Sequence, residues 1–312
     1  MKAILQHRYG PASVLQMGEA PKPIPRSGEV LVRIQAAALN PVDCEMRKGH
    51  FWPLSGIRFP RIPGSDFAGV VESTGTGVTG QKPGDAVYGF SPTYRGGSYA
   101  AYIAIPARAI ACKPESLSFG EAAGIPLAAQ TALQALRNLG HLQAGQSVFI
   151  HGASGGVGKF AVQIAAILGA QVHASCSFRN TEAVKALGAE TVIDYTQNDI
   201  RKLGREYDIF FDVYGNMPLP RVWHQVAKRG IHISTIPSPV NFWRAANPLS
   251  KRKTRVVLVR SVTADLDLLS NWVEEGKLAS IIDRTYPLEQ AREAHEYLET
   301  RRATGKIVLN IA

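Results

Sequence analysis

Three glycines at three-residue spacing, Gly152, Gly155 and Gly158, lie between an apolar run and a helical pattern, and this arrangement constrains the chain more than any other part of it. Val148 to His151 read as a buried strand. Beyond the glycines, Val157, Phe160, Ala161, Ile164, Ala165 and Leu168 recur at i, i+3 and i+4 and share one helix face. Strand, glycine turn and helix form the context in which such a run binds a dinucleotide. The turn needs backbone freedom that glycine has. Without a side chain the main chain can approach a pyrophosphate, and the free amides of the helix start meet its charge. The spacing is GxxGxxG rather than the commoner GxGxxG, so a turn that binds nothing is the alternative.

The surroundings of this turn suggest two domains, which 312 residues can supply. Residues 1 to about 118 are β-rich: Val30–Ala37, Phe67–Glu72, Ala86–Gly89 and Ala100–Ile105 lie between glycine and proline turns. Strands so short and evenly spaced suggest a barrel-like or partly open β domain. Ser118 and Glu121 then form a capping box ahead of the apolar run Ala122 to Leu136. From there strands alternate with helices. Strands are expected at 148–150, 172–175, 192–193, 209–212, 231–236 and 256–259, with helices at 156–168, 181–187 and 219–228. Such alternation means a parallel sheet covered by helices on both faces. Residues 237–254 read as an irregular, proline-bearing basic insert. Helical patterns return at 265–276 and 288–301, and a strand is expected at 307–311; these segments are expected to rejoin the β domain. The fold class is thus α/β: a doubly wound parallel sheet (121–264) inserted between the two parts (1–120 and 265–312) of a β-rich domain.

Charge and cysteine usage narrow the setting. The net charge is +10, and Lys251, Arg252, Lys253, Arg255 and Arg260 concentrate part of it in segment 251–260. That segment is either an anion-attracting patch or a solvated loop. No aromatic interleaving or nucleic-acid motif accompanies it, so nucleic acid is not expected as a partner. No run of about 18 apolar residues exists, and a membrane is not expected either. The first residues show no apolar leader. Cys44, Cys112 and Cys176 form no CxxC pair, which suits a reducing, cytoplasmic setting.

The order of several motifs resembles the medium-chain dehydrogenase/reductase superfamily, in its zinc-independent quinone oxidoreductase branch. The landmarks are AALNPVDCEMRKG (37–49), PGSDFAGVV (63–71), GDAVYGF (84–90), GGSYAAY (96–102), AAGIPLAAQTALQAL (122–136), HGASGGVG (151–158) and GKIVLNI (305–311). The resemblance spans nearly the whole chain. It implies a GroES-like catalytic domain, a Rossmann domain and a nicotinamide held between them. It also implies reduction of a quinone or an α,β-unsaturated ketone or aldehyde. Metal-free carbonyl reduction, and a low-turnover NADPH-binding protein with a scaffolding or nucleic-acid role, are the alternatives. A homodimer is left open.

Zinc members of the superfamily place a Cys and a Gly-His-Glu near the reacting centre. The corresponding stretches here are Asn40-Pro41-Val42-Asp43 and Gly64-Ser65-Asp66, which offer neither thiolate nor imidazole. No metal is therefore expected. The cofactor is expected to be NADPH. An acid at the end of the second Rossmann strand would select NAD, but Cys176-Ser177-Phe178-Arg179-Asn180 contains none. Arg179 suits a 2′-phosphate, Ser177 and Asn180 can add hydrogen bonds, and the resemblance adds Tyr195. The turn residues Ser154, Gly155, Gly156 and Val157, together with Asn40, Thr131 and Gly215, complete the expected cofactor contacts.

Without a metal, carbonyl polarisation must come from hydrogen-bond donors. By resemblance Asn40 lies near the nicotinamide, although an Asn before Pro is also a turn signal. Asp43 belongs to the same turn and is more often a structural hydrogen-bond acceptor there than an acid catalyst. The family's tyrosine after Arg-x-Gly is missing here, and His50-Phe51-Trp52 stands in its place, so Trp52 could wall a flat substrate. Tyr94 and Ser98 are further candidates. His151 and His173 read as packed core residues.

Overall fold

The computed structural model describes residues 1–236 and 253–311. Most of the basic insert, with Lys251 and Arg252, lies outside the described residues. The chain forms two compact units, residues 129–259 and residues 1–128 with 260–312. The expected boundaries at 120/121 and 264/265 shift accordingly. The short helix Phe119–Ala123 packs on strands Glu29–Ala38 and Asp66–Thr74, which keeps the segment after residue 120 with the first unit.

In the unit 129–259, Ser147–His151 is a central strand, paired in parallel with Gln171–Cys176 on one side and Tyr207–Asp212 on the other. Thr191–Asp194 extends the first side, while Val226–Ser234 and then Lys253–Val256 extend the second. The six strands thus run in the order 3-2-1-4-5-6, the doubly wound order whose switch point lies at the carboxyl ends of the central strands. Val148, Phe149 and Ile150 are fully buried, as expected of a parallel strand covered on both faces. Helix Gly156–Ile167 buries Phe160, Ala161, Ile164 and Ala165 of the expected face, but also Lys159, Val162 and Gln163, while Val157 and Leu168 of that face are half-buried.

Two expected elements differ. The helix expected at 219–228 is a single turn, Leu219–Val222, followed by the 3₁₀ turn Trp223–Gln225. Strand Val226–Ser234 has already begun there, because Val226 pairs with Tyr207. The strand expected at 256–259 is Lys253–Val256, in the register that pairing with Ile231–Ser234 imposes.

In the other unit, the long strand Glu29–Ala38 pairs antiparallel with Asp66–Thr74, Tyr102–Pro106 and the C-terminal strand Lys306–Asn310. Val30, Val32, Ile34, Phe67, Val71, Ile103 and Ile105 form one core cluster. The pairing of Val308 with Ala38 sets the start of the last strand beside Leu39 and Asn40. Among the described residues, no helix is long and apolar enough to cross a membrane.

Candidate functional site

Two constellations stand out, one in each unit. In the unit 129–259 the glycine turn is built by division of labour. Gly152 alone of the turn glycines takes a left-handed conformation, φ 88°. Gly155 is the helix N-cap in extended conformation, and no side chain caps the helix that begins at Gly156. Its first amides therefore keep their affinity for an anion. Gly158 serves packing: a Cβ there would meet the Gly152 carbonyl oxygen at 2.2 Å and Ala153 Cα at 2.7 Å. Ser154 to Val157 are half-buried and reachable. An uncapped, reachable helix start beside this turn fits a dinucleotide pyrophosphate.

Of the four residues expected at a 2′-phosphate, Ser177, Asn180 and Tyr195 are linked at the end of the second strand. Asn180 Nδ2 donates to Ser177 Oγ at 3.1 Å. The Tyr195 amide donates to the Cys176 carbonyl at 3.2 Å, pinning the loop after the third strand beside Ser177. Arg179 is exposed, and no carboxylate pairs with it among the described residues. A cavity of about 460 Å³ opens alongside, lined by Tyr195 to Arg201 and by His151, Asn216, Met217 and Arg221. Tyr195 lines it; Ser177, Arg179 and Asn180 do not.

The loop after strand Tyr207–Asp212 is held by a carboxylate that sequence reasoning passed over. Buried Asp212 accepts from the amides of Gly215, at 2.7 Å, and Met217, at 2.8 Å. Gly215 has φ 83°, and a Cβ there would collide with Ile236. His151 joins this rim to the sheet: one ring nitrogen meets Ser175 Oγ and the other Asn216 Oδ1, both at 2.8 Å. An amide oxygen only accepts, so Nε2 carries the proton and Nδ1 accepts from Ser175. Burial holds the pKa of His151 below the usual imidazole value. It is a packed residue, as expected, and also a floor of the cavity. The only advance signal for Asp212 was an acid closing an apolar strand three residues before a glycine. Thr131 is buried in helix Pro126–Leu133.

In the other unit, the Asn-Pro-x-Asp turn starts helix Pro41–Lys48, with Asn40 as its N-cap and proline in the first turn. Asp43 reaches back to the Asn40 amide at 2.8 Å. The Asn40 side chain is spent internally. Its Nδ2 donates to Asp66 Oδ2 at 3.0 Å, and its Oδ1 accepts from Lys306 Nζ at 2.6 Å. Lys306 also donates to the Leu39 carbonyl at 3.0 Å and Asp66 Oδ2 at 3.1 Å. Ser65 Oγ donates to Asp43 Oδ1 at 2.9 Å, and Asp66 Oδ1 accepts the Leu127 amide at 2.8 Å. All five polar side chains are buried. Burial above all, with Asp66 nearby, pushes the Asp43 carboxyl up to about 6. Asp66 is raised as well, by burial, against the pull of Lys306.

Of the remaining candidates, Trp52 and Tyr94 are more than half exposed, at 57% and 55%. Tyr94 shares a water-sized cavity of about 20 Å³ with Asp43, Arg61 and Gly64, whereas Asn40 and Trp52 do not line it. Ser98 is buried and its hydroxyl has no partner. Cys44 lies against His295, 3.3 Å from its Nδ1, and burial pushes its thiol up to about 12. It is no ready thiolate. Among the described residues, no group of three His, Cys, Asp or Glu side chains gathers as a metal site.

Comparison with known proteins places both parts of the chain in known families. Residues 26–115 match the family described as alcohol dehydrogenase GroES-like domain, and residues 187–309 the family described as zinc-binding dehydrogenase. The chloroplast envelope quinone oxidoreductase homolog of Arabidopsis thaliana is 34% identical over 99% of this chain and 98% of its own length. The same plant's chloroplastic NADPH-dependent alkenal/one oxidoreductase is 34% identical over 99% of this chain and 79% of its own length. Among solved structures, the quinone oxidoreductase of Coxiella burnetii matches with a TM-score of 0.92 at 32% identity, covering 100% of this chain and 99% of that one. The Escherichia coli quinone oxidoreductase complexed with NADPH matches with a TM-score of 0.86 at 25% identity, each chain covered fully at 100%. Fold, site and similarity define an oxidoreductase of the Rossmann and GroES-like type. The chain belongs to the medium-chain dehydrogenase/reductase superfamily, in its quinone oxidoreductase-like branch.

Proposed function

We propose that this chain is an NADPH-dependent reductase of quinones and of α,β-unsaturated ketones or aldehydes, working without a metal. The observation that carries the reading is the end of the second Rossmann strand: no carboxylate stands between Cys176 and Thr181, and Arg179 extends there with no acidic partner among the described residues. The uncapped helix start at Gly156 would hold the pyrophosphate, while Ser177, Arg179, Asn180 and Tyr195 would hold the 2′-phosphate. NADPH supplies a hydride when bound. The chain's own work is to orient, to exclude water and to offer hydrogen bonds to the substrate oxygen as charge develops on it. Asp43 and Ser65, one buried hydrogen-bonded pair, and Tyr94 are the groups of the β-rich unit best suited to hold or pass the proton that completes the reduction.

The compartment in this reading is the reducing cytoplasm, supported by three free cysteines. The partner is a small quinone or enone, and self-association would be as a homodimer.

The test is NADPH consumption with a panel of quinones and enones, using NADPH deuterated at the transferable position. Deuterium should appear on carbon in the enone product. An inert panel with no label transferred would leave only a binding protein.

A further inference from the structure

We propose that Lys306 is a positioning residue for the reducing end of the site: its ammonium is an internal cation that orients the Asn40 amide and sets the protonation of the Asp43 corner. This rests on the reading of that corner as the place where substrate oxygen is met. Three oxygens from two stretches of chain converge on Lys306 Nζ: Asn40 Oδ1 at 2.6 Å, the Leu39 carbonyl at 3.0 Å and Asp66 Oδ2 at 3.1 Å. The side chains of Lys306 and Asp66 are 4% and 0% exposed. An ammonium has three donors and no acceptor, so this socket satisfies it fully.

The orientation of Asn40 follows. With Oδ1 committed to Lys306, Nδ2 must face Asp66, as it does at 3.0 Å. A side chain without a donor at position 306 would leave Oδ1 unpaired and the amide held from one side alone, through Nδ2 on Asp66. The charge balance follows too. Asp43 is faced by Asp66 from strand Asp66–Thr74, by Lys306 from strand Lys306–Asn310 and by Tyr99, with Cys44 and Arg47 on its own helix. His295 stands behind Cys44 and Tyr99. Two buried carboxylates therefore share one nearby ammonium. Lys306 sits against Asp66, which leaves Asp43, hydrogen-bonded to Ser65 and bordering the small cavity, as the carboxyl that holds a proton more readily.

The experiment compares the unmodified protein with Lys306→Met and with the neutral pair Asp66→Asn/Lys306→Met. NADPH affinity is read by fluorescence, turnover with a quinone between pH 5 and 9, and the melting temperature across the same range. Lys306→Met should keep NADPH affinity within about threefold, since the pyrophosphate cradle lies in the other unit. Its turnover should fall at least about tenfold, and its acidic limb should move up by about one pH unit or more. In the neutral pair the raising carboxylate and the lowering ammonium are both gone, so the limb should return close to its original pH. A uniform loss at every pH, an unshifted limb, no loss at all, or a limb that stays displaced in the neutral pair would overturn the proposal. If Lys306→Met does not fold, Lys306→Gln, neutral but still able to donate to Asn40 Oδ1, takes its place: its acidic limb should move up in the same way, and an unshifted limb would overturn the proposal. If the unmodified protein binds NADPH but reduces nothing, the reductase reading fails separately. The melting temperatures of the variants then still report whether the titration of the corner has moved.

Discussion

A Cβ atom on Gly158 would stand 2.2 Å from the carbonyl oxygen of Gly152, closer than any real contact of that kind. The cofactor helix and the turn before it are therefore in direct main-chain contact. Gly158→Ala must push the helix away, and NADPH binding should weaken about a hundredfold or more, or the unit should lose its fold. Gly155→Ala meets nothing closer than 3.7 Å, and should keep affinity within about tenfold. Fluorescence titration with circular dichroism distinguishes the two. Equal behaviour of both variants would contradict the division of labour in the turn.

Arg179 should set the cofactor preference. A charge-assisted hydrogen bond contributes about 1.5–3 kcal/mol, or roughly 10- to 150-fold in affinity. Arg179→Ala should weaken NADPH by that factor and leave NADH within about twofold. Parallel weakening of both cofactors would remove Arg179 from the 2′-phosphate.

Asp43 should leave a mark on stability against pH. Burial chiefly raises its carboxyl from 3.8 to about 6, so the native state holds a proton that the unfolded chain releases. The stability this gives is complete below pH 3.8 and is lost as pH rises through about 6; it amounts to at most about 3 kcal/mol. His295 acts in the opposite sense. Burial holds it down to about 3, so its contribution is present above 6.5 and is lost as pH falls. A raw profile mixes the two. The difference between the unmodified protein and Asp43→Asn isolates the first: the variant should gain relative stability from pH 4 to pH 7 in urea titrations. A flat difference would show that Asp43 is not shifted.

Chelation should leave activity intact. Position 65 carries a serine, and the Asn40 and Asp66 oxygens already hold an ammonium. Elemental analysis should find well below one zinc per chain. One tightly held zinc, with activity lost on its removal, would contradict this.

The strand–glycine turn–helix unit was legible because its signal is local: strand, glycines and helix lie within about twenty residues. The parallel alternation was legible for the same reason. Helix 219–228 was misread because a short apolar run has no decisive period, and pairing of Val226 with Tyr207 made it a strand. The polar corner was hardly legible at all. Asp66 and Lys306 are 240 residues apart, and nothing local marks either as the other's partner. Asp66 was read only as a missing zinc ligand, and Lys306 only as part of a family motif. Asn40 was expected near the nicotinamide, and its amide proves to be engaged by this distant pair.

The ammonium of Lys306 also bears on how this fold can change its chemistry over evolutionary time. A lineage acquiring zinc at this corner would gain its ligands one substitution at a time. While Lys306 remains, each intermediate would bring a divalent ion against a fixed positive charge in a poorly screened interior. Losing Lys306 first would strand two buried carboxylates before any metal could neutralise them. Either order leaves an unbalanced charge in the buried corner, so a change of chemistry there calls for paired substitutions, such as removal of Asp66 and Lys306 together.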